Sequence, residues 1–399
     1  MGWEKVQLRD ISTSIQYGYT ESATVDKSGP KFLRITDIVN ETINWDTVPY
    51  CPISKDDYEK YKLCIGDIVV ARTGNTTGYA KLIRYVENSI FASYLIRFKI
   101  NGKKADPGFI GRLIESDIFK GYIWSIVGGS AQPGVNAKLI SNFSFFLPPL
   151  PTQQKIASIL SAYDDLIENN LKRIKLLEEM AQITYEEWFV RFKIDGEKLS
   201  IDKDTGLPAG WKRKKLGDTC KLIMGQSPKS EFYNEIGNGL PFHQGVKDYG
   251  DRFPINNTWS TSGNRKAEKG DILFSVRAPV GRLNVAIEKI ILGRGLASIR
   301  HNKNWNSFLL YQLQNIFFKD NLIGGGAIFN SVTKNDMLEI ELLEGSNEIM
   351  DRFNSIVEPI DNQIENLTIQ NQLLKEARDI LLPRIMTGII DVENTDTKI

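Results

Sequence analysis

The feature that most constrains this chain is that it states one plan twice. Trp3, Leu8 and Asp10 return as Trp211, Leu216 and Asp218, and Gly66-Asp67-Ile68 returns as Gly270-Asp271-Ile272. The run from Leu160 through Ile167-Glu168-Asn169 to Leu176-Leu177 returns, at one constant offset, as Val357 through Ile364-Glu365-Asn366 to Leu373-Leu374. A period of about 200 residues is too long for a solenoid repeat. It implies two copies of a whole domain, each followed by a long helix. Two similar surfaces in one chain suit the reading of a two-part target better than a single chemical reaction.

The boundaries follow from punctuation. Residues 1–150 read as a first mixed domain. Its short β-rich runs, Lys31–Ile38, Asp67–Ala71, Ala80–Tyr85 and Ala92–Phe98, are separated by Gly, Asn and Pro turns. Phe109–Ile126 has helical periodicity. Leu147-Pro148-Pro149-Leu150-Pro151 can continue neither strand nor helix. Thr152 then stands as an N-cap for a first long helix over 151–193. Residues 194–210 read as a polar linker and 211–345 as the second mixed domain. A second long helix over 346–390 carries Pro383 in its final turns, where a kink or break is expected, and 391–399 reads as a frayed polar tail.

The net charge of +1 conceals a division. Residues 1–150 carry +3 and 206–345 carry +6, whereas 151–205 carry −3 and 346–399 carry −5. Basic globular parts and acidic helical parts are what a phosphate-binding protein with solvated struts would show, although solvated helix faces alone also produce such a pattern. No apolar run reaches the length of a membrane span, and the N-terminus lacks the basic and apolar regions of a signal peptide. Cys51, Cys64 and Cys220 lack zinc-ligand or CxxC spacing. A cytoplasmic protein with ordinary thiols is expected.

The helices carry heptad seams. In the first, Ile156, Leu160, Tyr163, Ile167, Asn170, Ile174, Leu177, Ala181, Thr184 and Trp188 alternate in steps of four and three. Phe353, Val357, Ile360, Ile364, Leu367, Asn371, Leu374, Arg378, Leu381 and Ile385 do so in the second. Such seams predict coiled-coil packing. A parallel in-register pair would bury Asn170 against Leu367 and Asn371 against Ile174. Each amide would then lack a partner, at about 1–3 kcal/mol apiece. An antiparallel pair sets Asn170 against Asn371, Arg378 beside Tyr163 and Trp188 beside Phe353. The alternative is that both Asn lie at a solvated edge of the seam. The fold class is therefore α+β: two similar mixed α/β domains and two long helices in an antiparallel, pseudo-twofold coiled coil.

Enzymatic motifs are missing. The sequence holds no GxxxxGK[ST] phosphate loop, no Glu-x-Lys triplet of a metal-dependent nuclease and no Asn-Pro-Pro-aromatic loop of an amino-methyltransferase. Its two histidines, His243 and His301, are far apart in sequence. No catalytic residue, metal ligand or cofactor is expected. Gly324-Gly325-Gly326 reads as a turn. What recurs is a loop vocabulary: Gly66-Asp67-Ile68 leading to Arg72, and Gly128-Gly129-Ser130-Ala131-Gln132-Pro133 in the first copy, Gly270-Asp271-Ile272 leading to Arg277 in the second.

With these elements and the lead-in Leu147-Pro148-Pro149-Leu150-Pro151-Thr152-Gln153-Gln154-Lys155-Ile156-Ala157, the whole chain resembles the specificity (S) subunit of Type I restriction-modification systems. The second copy departs from that pattern: its later loop lacks Ser-x-Gln-Pro, and Leu343-Glu344-Gly345-Ser346 lacks the proline-rich lead. The resemblance implies two target recognition domains held apart by antiparallel helices. It implies a bipartite double-stranded DNA target. It also implies a subunit without catalysis, served by methyltransferase (M) and helicase–nuclease (R) subunits. A helix of about 55 Å would place the half-sites more than one turn of B-DNA apart.

On that reading, Arg72 and Arg277 are guanine readers at similar places after Gly-Asp-Ile, and Asn75, Gln132, Asn136, Gln244 and Asn330 are loop amides suited to adenine. Lys31, Arg34, Lys81, Arg84, Lys138, Lys247, Arg252, Arg265, Lys266, Arg282, Arg294 and Lys334 are candidate phosphate anchors, each alternatively an ordinary surface charge. Asp67 and Asp271 read as turn caps, Trp3 and Trp211 as packing residues, and Lys212-Arg213-Lys214-Lys215 as either a phosphate contact or a strand flank. A two-domain scaffold gripping a symmetric protein partner, without DNA, is the competing function.

Overall fold

A computed structural model describes residues 3–128, 134–318 and 331–392. The chain forms two compact units, and the division cuts through both long helices. Residues 1–170 with 370–399 make one unit, and 171–369 make the other. Each unit therefore owns half of each helix.

The frame of the first unit is a four-stranded antiparallel sheet, ordered Ser12–Tyr17, Leu95–Ile100, Ile68–Ala71, Ala80–Leu82. The strand after Gly66-Asp67 is apolar throughout because it is covered on both faces. Ile68 and Val70 face one core with Phe98, Phe109 and Leu160, while Val69 and Ala71 face another with Leu33, Trp45 and Phe91. Fully burying each such side chain contributes about 1.5–3 kcal/mol. Strands Glu4–Gln7 and Ser144–Leu147 pair antiparallel, and Lys31–Leu33 pairs parallel with Ser89–Phe91. The helical stretch expected over Phe109–Ile126 is two helices, Pro107–Glu115 and Asp117–Val127, interrupted at Ser116, whose backbone is extended.

The second unit repeats this frame. Its four-stranded sheet runs Cys220–Met224, Leu296–His301, Ile272–Ser275, Leu283–Val285, and Lys212–Lys215 pairs with Glu341–Glu344 as Glu4–Gln7 pairs with Ser144–Leu147. Ile272 and Phe274 face one core and Leu273 the other. A further five-stranded sheet contains Leu240–His243 and Ile290–Leu292.

The long helices run Leu150–Tyr185 and Asn347–Met386. Inside the first unit, Asn170 meets Asn371 and Asp164 meets Arg378, so the helix segments are antiparallel there. Inside the second, Trp188 packs edge-on against Phe353 with ring centroids 5.8 Å apart. Ile174 and Leu177 join a core with Val357, Ile360 and Ile364. Ile156, Leu160, Ile167, Leu367 and Ala181 are buried, whereas Tyr163, Leu374 and Thr184 are half-buried.

Several sequence expectations need correction. The first helix begins at Leu150, so Thr152 lies inside its first turn rather than capping it; Pro151 is tolerated there because first-turn amides have no helical acceptor. A turn of wider π geometry, Glu186–Val190, ends it. Pro383 does not break the second helix, which continues to Met386. Ile385 and Met386 are buried in the first unit's core, and that packing offsets the one lost hydrogen bond. The expected linker carries a hairpin, Lys193–Ile194 with Glu197–Lys198, and buries Ile194 and Leu207 in the second unit's core. Val392, expected in the frayed tail, is buried. Residues 393–399, Gly324–Gly326 and the 129–133 loop lie outside the described residues. Among the described residues, no helix is long and apolar enough to cross a membrane.

Candidate nucleic-acid interface

The interface begins with a backbone frame shared by the two units. In the first, the Arg72 amide donates to the Tyr94 carbonyl at 3.0 Å, and the Arg72 carbonyl accepts from Val135 at 2.8 Å. In the second, the Val276 amide donates to Gly295 at 2.9 Å, and its carbonyl accepts from Val332 at 3.0 Å. The residue equivalent to Arg72 is therefore Val276, which is buried. Arg277 lies one position on, and its bridge to Ser331 matches that of Thr73 to Gly134. The expectation that Arg72 and Arg277 are counterparts is off by one residue. One residue along an extended chain turns a side chain to the other face. Equal spacing from Gly66 and Gly270 gives the same pairing of Arg72 with Val276, which matching arginine to arginine overlooks.

The same bonds align the surrounding loops. Ala92 donates to Leu33 as Gly293 donates to His243, and Tyr19 donates to Phe91 as Gln226 donates to Leu292. Tyr19, Arg34 and Ser93 of the first unit thus correspond to Gln226, Gln244 and Arg294 of the second. Asn136 and Thr333 cap equivalent short helices, Ala137–Ser141 and Lys334–Leu338. All these positions lie at one end of their sheet.

In the first unit, Arg72 is held by a backbone carbonyl and an aromatic ring. Its Nε donates to the Ser93 carbonyl at 3.0 Å, and its guanidinium lies 5.2 Å from the centre of the Tyr17 ring. Tyr17 is itself fixed, because its hydroxyl accepts from the Ala137 amide at 3.0 Å. Asn75 is exposed in the Gly74–Thr76 turn, which needs glycine at Gly74 because φ there is +74°. Asn136 Oδ1 accepts from Leu139 at 2.9 Å, and Lys138 is exposed beside it. Sequence reasoning missed Tyr17 and the exposed Tyr94, since an aromatic at a strand end looks like core in a sequence.

In the second unit, Gln244, Arg277, Arg294 and Lys334 are exposed, as are Lys247, Arg265 and Arg282. Lys266 is half-buried on the strand Lys266–Ala267. Gln226, also exposed, was missed because only the hydrogen bonds place it beside Gln244. Gln132 and Asn330 lie outside the described residues.

Other candidate anchors are used inside the fold, and the expectation is corrected for them. Lys31 is buried, donates to the Trp45 carbonyl, and sits 3.8 Å from Glu87 and 5.0 Å from the Tyr50 ring centre. Arg34 makes a bidentate pair with Asp37, at 3.0 and 2.8 Å. Lys81 donates to the Glu41 carbonyl at 2.9 Å. Arg84 pairs with Asp165 and lies 3.5 Å from Asp164 on the first helix. Arg252 is buried against Asp361 on the second helix, and its Nη1 donates to Tyr311 Oη at 3.2 Å. Arg84 and Arg252 bind domain to helix, whereas Lys31, Arg34 and Lys81 are held by groups of their own domain.

Asp164 and Asp361 occupy the same place in the helix repeat. Asp164 receives Arg112 and, at 2.7 Å, Arg378, which also reaches Glu41 at 2.9 Å. Burial works against the Arg378 charge, but hydrogen bonding to Asp164 and the acids around it outweigh burial and raise its pKa. Arg378, expected beside Tyr163, makes its ion pair with the next residue, Asp164. Asp67 and Asp271 do cap their turns: Asp67 accepts from the Cys64 amide and Asp271 from the Glu268 amide, each at 2.9 Å. Trp211 is buried against Phe189, ring centres 5.3 Å apart. Lys214 and Lys215 pair with Glu344 and Glu339 at 2.8 and 2.6 Å, and Arg213 lies 3.9 Å from Glu341, so these three charges of the run meet acids of their own unit.

These arrangements describe two like-built α/β units that carry different side chains on equivalent backbone positions at one sheet end. The family model for the type I restriction modification DNA specificity domain matches residues 1–179 and 208–375. The chain belongs to this family, the specificity subunits of type I restriction-modification systems. It is 31% identical to a protein of Methanocaldococcus jannaschii named as a type I restriction enzyme specificity subunit, MjaX, over 98% of this chain and 94% of that one. It is 24% identical to the type I restriction enzyme HindI specificity subunit of Haemophilus influenzae, over 97% and 99%. The solved S subunit of a Type I restriction-modification system from M. genitalium has the same fold, with a TM-score of 0.62, 15% identity and 96% of each chain covered.

Proposed function

We propose that each unit reads one part of a bipartite double-stranded DNA target at the loop end of its four-stranded sheet. The chain supplies this choice to separate methyltransferase and helicase–nuclease subunits and performs no chemistry itself. The observation that carries the reading is the shared hydrogen-bonded frame dressed with different side chains: Arg72, Tyr19, Arg34 and Ser93 in one unit, Val276, Gln226, Gln244 and Arg294 in the other. A common frame suits a common approach to a duplex, and different side chains suit different base sequences. Arg72, Asn75 and Asn136 are the base-reading candidates of the first unit, and Gln132 belongs with them by its place in the chain. Arg277 and Gln244, with Asn330, are those of the second. Lys138, Lys247, Arg265, Lys266, Arg282 and Lys334 serve as phosphate anchors. The lack of a phosphate loop, nuclease triplet or methyltransferase loop in the sequence supports a non-catalytic role.

Incubating DNA and S-adenosylmethionine with the purified chain, with methyltransferase subunits, and with both tests this. Sequence-specific methylation is expected only with both. Methyl transfer by the chain alone overturns the non-catalytic reading, and methylation whose sequence is indifferent to the chain overturns the specificity reading.

A further inference from the structure

We propose that Gln226, Gln244 and Arg294 form one base-reading cluster in the second unit, in which Arg294 reads a guanine rather than anchoring a phosphate. This rests on the DNA-reading role proposed above and goes beyond it by naming the group that sets base choice.

Three loops are drawn together at this end of the sheet by backbone contacts alone. The Gln226 amide donates to Leu292 at 2.9 Å, Gly293 donates to His243 at 2.8 Å, and Gly295 donates to Gln244 at 3.0 Å. The approach is too close for side chains between the loops. A Cβ on Gly293 would stand 2.6 Å from Gln244 Cα, and a Cβ on Gly225 would collide with the Gly293 carbonyl. Glycine at both places lets the three chains touch, so their neighbours Gln226, Gln244 and Arg294 project from one small platform. The Arg294 loop is further fixed because its amide donates to Ser227 Oγ at 3.2 Å.

All three side chains are exposed, and among the described residues none makes a side-chain hydrogen bond or ion pair within the protein. This separates Arg294 from Arg34, Arg84 and Arg252, whose guanidiniums are held by acids. A rigid backbone with uncommitted forks and amides is what base edges require: Arg matches guanine O6 and N7, and Gln matches adenine N6 and N7. A phosphate anchor needs only charge and reach. The equivalent platform in the first unit carries Tyr19, Arg34 and Ser93, where Arg34 is already paired with Asp37. There an arginine fork is supplied from the neighbouring position by Arg72, whose Nε is held by the Ser93 carbonyl.

The test uses the full chain with its methyltransferase subunits and selection from duplexes of random sequence. The variants are Gln226→Ala, Gln244→Ala and Arg294→Ala. Each is expected to flatten base preference by about 5- to 150-fold at one or two positions, all in the same half-site. For Arg294→Ala the flattened position is a guanine. The other half-site keeps its preferences, which shows that the variant is folded. If Arg294→Ala weakens binding to all duplexes alike and reduces the salt slope by about one, it is a phosphate contact and the proposal fails. Retention of every base preference in all three variants also overturns it. A wild-type complex that selects no motif refutes the DNA-reading role itself, a result distinct from either.

Discussion

Asn170 donates its side-chain amide to Asn371 Oδ1 at 3.0 Å, with both residues buried on facing segments of the two long helices in the first unit. One bond is made, and Asn371 Nδ2 has no partner. Replacing either Asn with Leu removes the bond and leaves the other amide buried, so each single substitution is expected to cost about 1–3 kcal/mol. Replacing both removes the uncompensated polar groups together and recovers most of that loss. A double-mutant cycle by urea unfolding measures the coupling; additive losses would show that the pair contributes nothing as a pair.

Asp164 gathers Arg112 and Arg378, with Arg84 at 3.5 Å, and its own side chain and that of Arg112 are nearly inaccessible. Asp164→Ala removes the buried acid shared by Arg112 and Arg378, leaving Arg112 to Glu115 at 3.3 Å and Arg378 to Glu41, and a loss of about 3–5 kcal/mol is expected. Asp165→Ala removes a pair whose acid is 67% exposed and is expected to be nearly silent. Thermal unfolding of both variants checks the contrast. Equal midpoints would mean that the domain is held to its helices by apolar packing alone.

Glu344 ties two strands and the core of the second unit together, accepting from Lys214 at 2.8 Å with His301 at 3.3 Å. Burial pushes its carboxyl up, but hydrogen bonds from His301 and Lys214 outweigh this and bring it down to about 2, from an ordinary 4.5. Because the folded value lies below the unfolded one, its stabilisation is complete above about pH 4.5 and is lost as the pH falls towards 2. Stability measured between those limits should therefore fall less steeply for Glu344→Gln than for the wild type. An identical slope would contradict the assignment.

Arg72 is pre-oriented by Ser93 and Tyr17, so its replacement should act on one half-site alone. Arg72→Ala is expected to cost about 1–3 kcal/mol on the half-site read by the first unit. Arg72→Lys should fail nearly as badly, since an ammonium lacks the two-pronged fork. Arg277→Ala should affect only the other half-site. Binding to duplexes altered in one half at a time separates these outcomes; an equal loss in both halves for either variant would exclude a base-reading role.

The duplication, the mixed domains, the seam asparagines and the capping role of Asp67 and Asp271 were legible because each is written in periodicity or in turn chemistry. The fate of individual cations was not. Lys31, Arg84 and Arg252 look like Lys138 and Arg294 in a sequence, but whether a charge meets an acid depends on side chains brought from remote segments, as Asp361 is to Arg252. The equivalence of Arg72 with Val276, by contrast, is written in the sequence, because both follow Gly-Asp-Ile at the same spacing; matching arginine to arginine passes over it, and the bonds to Tyr94 and Gly295 show it. The helix start at Leu150 was masked by prolines that ordinarily signal a stop, and the passage through Pro383 depends on tertiary burial of Ile385 and Met386.

The most direct test of the account is the motif selected from random duplexes by the full chain bound to its methyltransferase subunits. The account predicts two short conserved blocks separated by unselected positions, with different sequences in the two blocks because the reading side chains differ between the units. A single contiguous block, or no enrichment at all, would contradict it.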